Sequence, residues 1–156
     1  MKINLSIIIP VYNAKKTIQN AINSINKQKL KIKDLKVEVI LIIDDGKKYE
    51  DYIPKLKNWI SIKIIKTNGI KTGPGNARNI GLKKANGKYI GFLDADDEWS
   101  ESYITEMYKL ANKYDVAFAP TKIYEKGKEI YTFIGKEEGY LKLTDIGRVP
   151  CSFHPM

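Results

Sequence analysis

The 156-residue chain has one cysteine, Cys151, and one histidine, His154. A lone cysteine excludes an internal disulfide framework and fits a reducing compartment. A catalytic thiol needs an imidazole beside it in the fold, and the one histidine sits three residues away in the tail, which makes a poor case for such a pair. No paired cysteines and histidines carry zinc spacing. No apolar run reaches the roughly 20 residues of a spanning helix. The opening MKINLSIIIPVYN is short and is broken by Pro10, so it is neither a signal peptide nor an anchor. There is no arginine-rich tract and no basic run studded with aromatics, which argues against a nucleic-acid reader. Repeats, low-complexity tracts and linkers are also missing. One domain over residues 1–156 is expected.

What is present suits a single core, with 43% hydrophobic residues. Net charge is +9 and the pI is about 9.4. A basic balance speaks to partners rather than to fold. Nucleic acid, an anionic membrane surface and small phosphorylated ligands are all compatible with it. The lysines are spread along the chain, so a merely solvated surface explains them equally well.

Leu5 to Ile9 is an apolar, β-branched run that predicts a buried strand ending at Pro10. Ile18, Ala21, Ile22 and Ile25 recur at helical spacing within a predicted helix over 14–28. VEVILII, 37–43, predicts a second buried strand, and SIKIIK, 61–66, a third. Between them, 49–59 reads as a helix interrupted by Pro54. A helix over 75–85, entered through Gly73-Pro74-Gly75, has Ala77, Ile80 and Leu82 as its apolar contacts. Residues 89–93 predict a fourth strand. A helix over 100–114 follows, with Ser100 as N-cap and Tyr103, Ile104, Met107, Tyr108 and Ala111 as its inner side. Strands over 115–124 and 129–134 form an expected hairpin around Lys126-Gly127. This alternation predicts an α/β fold, a mostly parallel sheet with helices on both faces. Ligands of such sheets bind beyond the carboxyl ends of the strands.

Those ends carry the chemistry. FLDADDEW, 92–99, sets Asp94 and Asp96 on either side of Ala95 at the close of a strand. Two such carboxylates can converge on Mg²⁺, which takes one or two protein carboxylates and completes its shell with phosphate and water; Mn²⁺ accepts similar donors. The competing reading is acids placed before a helix N-terminus. It accounts for Asp97 and Glu98 better than for Asp94. A phosphatase of the haloacid-dehalogenase type needs Thr or Val where Glu98 stands. A dinucleotide turn needs GxGxxG after the first strand, where Pro10 to Lys15 has no glycine, and no P-loop is present. Asp44-Asp45-Gly46 closes the second strand; Asp45 can accept from a base N–H, or the trio is an Asp-Gly turn. Tyr12 can stack on a base or anchor its loop. Gly73 and Gly75 let a ligand approach the backbone ahead of a helix. Arg78, in the first turns of that helix, can hold Asp45 or a phosphate, or simply be a surface residue.

SIIIPVYN (6–13), the Asp44-Asp45-Gly46 strand end and GPGNARNIGLKKANGKYIGFLDADDEW (73–99) stand in an order that resembles the nucleotide-sugar half of family 2 glycosyltransferases. The resemblance runs over 6–99 and more loosely to 124. It implies the GT-A (Rossmann-like) fold, with 1–124 as donor-binding core and 125–156 as the start of an incomplete acceptor-side region. It implies that Tyr12 packs on a base, Asp45 bonds it, and Arg78 lines the nucleotide pocket. It implies that Asp94 and Asp96 serve the ribose and a metal-bound diphosphate, with Asp96 the direct ligand of Mn²⁺ or Mg²⁺. Pro10, Asn13, Gly46 and Ala95 complete the expected substrate-binding set. Some GT-A enzymes use a late histidine on the metal, and His154 is the one candidate for that place.

Two departures stand out. Lys47-Lys48 follow Gly46 where the family usually has Ser or Thr and then Asp. No remaining acid, from Asp115 to Asp145, occupies a catalytic-base context, so the catalytic residue is unassigned and the tail reads as a chain cut mid-domain. The resemblance implies an inverting, metal-dependent transfer from a nucleoside-diphosphate sugar, UDP favoured, to a glycan or lipid-linked hydroxyl. The setting implied is cytoplasmic, at or near the inner membrane face, without nucleic acid. A non-catalytic nucleotide-sugar module, a nucleotidyltransferase and a polyanion binder are the competing expectations.

Overall fold

A computed structural model describes residues 3–133. Four parallel strands form the main sheet: β1 (Leu5–Val11), β2 (Val37–Ile43), β3 (Ile60–Lys66) and β4 (Tyr89–Phe92), in the order β3-β2-β1-β4. Strand order reverses between β1 and β4, which opens a crevice at their carboxyl ends.

β1 and β2 are apolar at nearly every position because both sheet faces are covered. Leu5, Ile7, Ile9 and Val11, with Val37, Val39, Leu41 and Ile43, face helices α1 (Ile18–Asn26) and α3 (Tyr103–Ala111). Ile8, Ile40 and Ile42 face Ala77 on helix α2 (Pro74–Lys84) across the sheet. Ile18, Ile22 and Ile25 on α1 are fully buried, each stabilising by about 1.5–3 kcal/mol. Gly81 has a packing reason: a Cβ there would lie 2.4 Å from Ile8 Cγ2, so glycine lets α2 approach the sheet.

Several predicted boundaries move. β1 runs through Pro10 to Val11. The Ile8 carbonyl faces β4 and the Val11 carbonyl faces β2, so alternation turns Pro10 toward the β4 side. Register pairs Ile8 with Phe92, the last residue of β4. The Leu93 N–H still reaches the Ile8 carbonyl at 3.2 Å; Pro10 has no N–H to make the next bond, so the ladder with β4 ends there while pairing with β2 continues. The helix expected over 49–59 is a single 3₁₀ turn, Glu50–Tyr52, ahead of Pro54. The helix expected from residue 14 begins at Ile18, and the one expected from Ser100 begins after N-cap Ser102. Asp97 and Glu98 thus lie upstream of that cap, outside the first turn they were expected to serve. Leu82 is 43% exposed and makes no core contact of the kind expected. The hairpin forms from β5 (Thr121–Glu125) and β6 (Lys128–Phe133) around Lys126 and Gly127, both at positive φ. Residues 115–120 are irregular instead of strand. Cys151, His154 and the tail lie outside the described residues.

A polar network the sequence conceals sits toward the amino ends of the strands. Glu38, 1% exposed within β2, accepts from Ser6 Oγ at 2.6 Å, Lys63 Nζ at 2.6 Å and the Asn86 amide at 2.6 Å. Ser6 Oγ also accepts the Gly87 N–H at 2.8 Å. Burial pushes the Glu38 carboxyl up, but Lys63, Ser6 and Asn86 together outweigh it and bring it to about 2. This network pins the α2–β4 turn to the sheet.

Candidate active site

The loops after β1, β2, β3 and β4 meet at the carboxyl edge of the sheet, and hydrogen bonds to carboxylates hold them there. Asp44, 3% exposed at the end of β2, holds the loop after β3. Its Oδ1 accepts from Thr67 Oγ1 at 2.8 Å and Thr72 Oγ1 at 2.7 Å, and its Oδ2 accepts the Gly73 N–H at 2.9 Å. Its carbonyl accepts the Lys71 N–H at 2.7 Å. Burial pushes the Asp44 carboxyl up; the bonds from Thr72, Gly73 and Thr67 outweigh it and hold it below the usual range. Asp44 thereby sets Gly73, at φ +97, as N-cap of α2. Sequence reading placed Asp44 on the rim but gave it no role. Its only signal was the Thr67 and Thr72 hydroxyls in the following loop.

Asp45 joins the loops after β1 and β2. Its Oδ2 accepts the Asn13 N–H at 2.9 Å and the Tyr49 hydroxyl at 2.7 Å, and its Oδ1 accepts the Lys47 N–H at 3.0 Å. The side chain is 4% exposed. Burial pushes this carboxyl up too, and Tyr49, Lys47 and Asn13 outweigh it, so it remains ionised well below neutral pH. A carboxylate offers about four acceptor positions. Three are used, leaving one on Oδ1 for a further donor. Tyr49, 1% exposed, also accepts the Ala14 N–H at 3.0 Å. Burial, then its bond to Asp45, raises the phenol to about 12. Tyr49 was read only as the start of a helix; it is the buried post of this site.

Arg78 does not reach Asp45. Its guanidinium pairs with Asp94 Oδ1 at 2.5 Å, each side chain about one-third exposed. Part of the positive charge that FLDADDEW calls for is thus supplied within the chain. Asp94 also caps a turn, its carbonyl accepting the Asp97 N–H at 3.1 Å. That turn buries Ala95 in the core, 7% exposed, so only the backbone of Ala95 faces the rim. Asp96 is exposed, with no hydrogen bond or ion pair to another described residue. Trp99, stacked on Tyr103 with centroids 4.3 Å apart, fastens the far end of this loop beneath the sheet.

The remaining expected residues line the same rim. Tyr12 is 49% exposed. Asn13, at φ +52, receives Lys47 Nζ on Oδ1 at 3.2 Å. The family's usual Ser or Thr is thus replaced here by an ammonium that bridges two loops. Gly46, at φ +69, carries the Ile70 side chain alongside, 3.7 Å from where a Cβ would stand. A Cβ on Gly73 or Gly75 would meet nothing within 4 Å, so these glycines front open space. Among the described residues no three His, Cys, Asp or Glu side chains gather to hold a metal alone. A donor set of Asp96 and Asp94 fits a hard divalent ion only if phosphate and water complete its shell.

A parallel sheet reversed beside its central strand, with acidic loops on its carboxyl edge, is the architecture of the GT-A glycosyltransferase domain. The family model described as glycosyl transferase family 2 matches residues 6–149, and the chain belongs to that family. The minor teichoic acid biosynthesis protein GgaA of Bacillus subtilis is 34% identical over 149 residues, covering 90% of this chain and 30% of that protein. The Escherichia coli UDP-Glc:alpha-D-GlcNAc-diphosphoundecaprenol beta-1,3-glucosyltransferase WfaP is 38% identical over 122 residues, 77% of this chain and 46% of that one. Among solved structures, residues 1–349 of Staphylococcus aureus TarS in complex with UDP-GlcNAc align with a TM-score of 0.67 at 26% identity. That alignment covers 86% of this chain and 39% of the other. The chain therefore spans less than half the length of each of these relatives. Among the described residues no helix is long and apolar enough to cross a membrane.

Proposed function

We propose that this chain is the donor-binding part of an inverting glycosyltransferase that uses a nucleoside-diphosphate sugar, UDP-linked, in the presence of Mn²⁺ or Mg²⁺. The observation that carries the reading is the division of labour among the rim carboxylates. Asp44 and Asp45 are tied to the chain and shape the loops, Asp94 is paired with Arg78, and Asp96 stands exposed beside them.

Each residue then has a role. Tyr12 stacks on the base, and the last acceptor position of Asp45 Oδ1 takes a base N–H, as uracil offers. Pro10 ends the β1 ladder on one side and opens the crevice, and Asn13 and Gly46 line it. Arg78 turns part of its planar donor fork to the nucleotide while keeping Asp94 oriented toward the ribose. Asp96, with Asp94, holds the divalent ion; when bound, that ion supplies Lewis-acid stabilisation of the leaving diphosphate. The backbone around Ala95 keeps the two carboxylates two residues apart. An inverting transfer also needs a base that deprotonates the attacking hydroxyl. No described residue fills that role.

UDP and UDP-GlcNAc are favoured by analogy with TarS, and a glycan or lipid-linked acceptor by analogy with GgaA and WfaP. A lipid-linked acceptor implies work at a membrane surface. Calorimetric titration with UDP, GDP, dTDP and CDP, in Mn²⁺ and then in EDTA, tests the reading. Base-selective, metal-dependent binding is expected; binding indifferent to base contradicts it.

A further inference from the structure

Lysines that look scattered in the sequence are gathered at the opposite end of the sheet. After α1 the chain reads KQKLKIKDLK, 27–36. Burial alternates along it: Lys27, Lys29, Lys31 and Lys33 are exposed, while Gln28 is buried and Leu30 and Ile32 are partly buried. A second segment, Lys55-Leu56-Lys57, repeats the pattern with both lysines exposed. Asn26 ties the two together. Its side chain donates to the Lys55 carbonyl at 2.9 Å and accepts the Lys57 N–H at 3.0 Å. The first segment is fixed as well, by Lys29 N–H to the Glu101 carbonyl at 2.7 Å and Lys31 N–H to Thr105 Oγ1 at 3.3 Å.

The result is an array of six exposed ammonium groups on two held backbones. Between the segments lies an open groove of about 440 Å³, lined by Leu30, Ile32, Leu35, Lys36, Lys57 and Trp59 among others. The carboxylates at hand are Asp34, in the groove wall, and Glu101, paired with Lys29. Holding like charges on a fixed surface is unfavourable without a counter-charge, and of these six only Lys29 has an ion pair among the described residues.

We propose that this face docks on an anionic phospholipid bilayer. The array is broad and made of lysine point charges, without the arginine forks and exposed stacking aromatics that nucleic-acid sites use. A largely polar groove between lysine-bearing walls suits phospholipid headgroups. The choice of lipid also draws on the lipid-linked acceptor proposed above. Docking by the amino ends of the strands places the candidate active site on the side away from the bilayer, which requires an acceptor chain long enough to extend past the domain.

Co-sedimentation with vesicles of phosphatidylglycerol and phosphatidylcholine, against phosphatidylcholine alone, tests this. Binding to the anionic vesicles only, reversed by salt, is expected. Each lysine near an anionic surface adds about fivefold to partitioning. The triple variant K31E/K33E/K57E should therefore lose at least about a hundredfold, and K31Q/K33Q/K57Q should fall between it and the parent. All three positions are exposed, so circular dichroism melting should be unchanged. Unaltered vesicle binding by the glutamate variant overturns the proposal. So does tighter binding to a single-stranded oligonucleotide than to anionic vesicles in the same salt. UDP affinity, measured on the same variants, should stay at the parent value. Loss of UDP binding in the parent would fail the donor-site reading alone.

Discussion

Replacing Tyr49 with phenylalanine removes one oxygen and separates a packed site from a wired one. The ring still fills its buried position, so the apolar contribution is kept. Two hydrogen bonds go: the Ala14 N–H at 3.0 Å loses its acceptor, and Asp45 Oδ2 loses a donor at 2.7 Å. An unsatisfied buried amide costs about 1–3 kcal/mol, and a hydrogen bond to a charged group is worth about 1.5–3 kcal/mol. The Asn13 N–H still serves Asp45 Oδ2, so the two losses overlap. A net loss of about 2–4 kcal/mol is expected, against ~5–15 kcal/mol for a whole domain. With a urea m-value of about 1–3 kcal/mol/M the midpoint should fall by roughly 1–2 M at unchanged slope. Because the β1 loop is then held only through Asn13, by Asp45 and by the exposed Lys47 ammonium, UDP affinity should drop about tenfold or more. Loss of less than about 0.5 kcal/mol with full UDP binding would refute the claim that Tyr49 organises this site.

Three further predictions follow from other contacts. Glu38 falls from an ordinary 4.5 to about 2 on folding; a depressed carboxyl stabilises above its unfolded value and loses that contribution as pH falls toward 2, about 3 kcal/mol in all. Urea midpoints of the parent and Glu38→Gln should therefore differ at pH 7 and converge on acidification; a gap independent of pH contradicts this. Arg78→Ala breaks a partly exposed ion pair and should cost under about 1 kcal/mol of stability, yet weaken UDP at least ~10-fold, and Arg78→Lys should not restore it, as calorimetry and thermal melts together can check. Asp44→Ala leaves Thr72 and the Gly73 N–H without their acceptor, while Thr67 keeps the Gly69 carbonyl, and should raise hydrogen exchange of residues 67–73 and destabilise by about 2–4 kcal/mol; unchanged exchange would show the loop is held otherwise.

The parts of the fold set by periodicity were legible. The β-branched runs of β1 and β2 and the isoleucine stripe of α1 leave few alternatives once both sheet faces are covered. Boundaries were less so, because they depend on what lies across the sheet. Pro10 continues a strand because it turns its missing N–H toward the β4 side, while pairing with β2 runs on to Val11. The 49–59 segment carries apolar residues enough for a helix, but Pro54 and the anchoring of Tyr49 leave a single turn. In the site, the strand-end acids announced themselves by position. Their wiring did not: Arg78 choosing Asp94, Tyr49 supporting Asp45 and Asp44 holding the next loop are contacts between residues 4 to 29 positions apart. The lysine array was hidden for the same reason. Its halves lie on separate segments that Asn26 and the pairing of the strands after them bring side by side.

The central claim is that Asp96, exposed on the rim while Asp44, Asp45 and Asp94 are tied down, holds the divalent ion that a nucleotide diphosphate shares. Titrating the parent and Asp96→Ala with UDP, each in Mn²⁺ and in EDTA, tests it most directly. The account predicts tight binding for the parent in Mn²⁺ and weak binding in EDTA, with the variant weak and indifferent to the metal. Equal UDP affinity with and without Mn²⁺ in the parent, or full metal dependence retained in the variant, would contradict it.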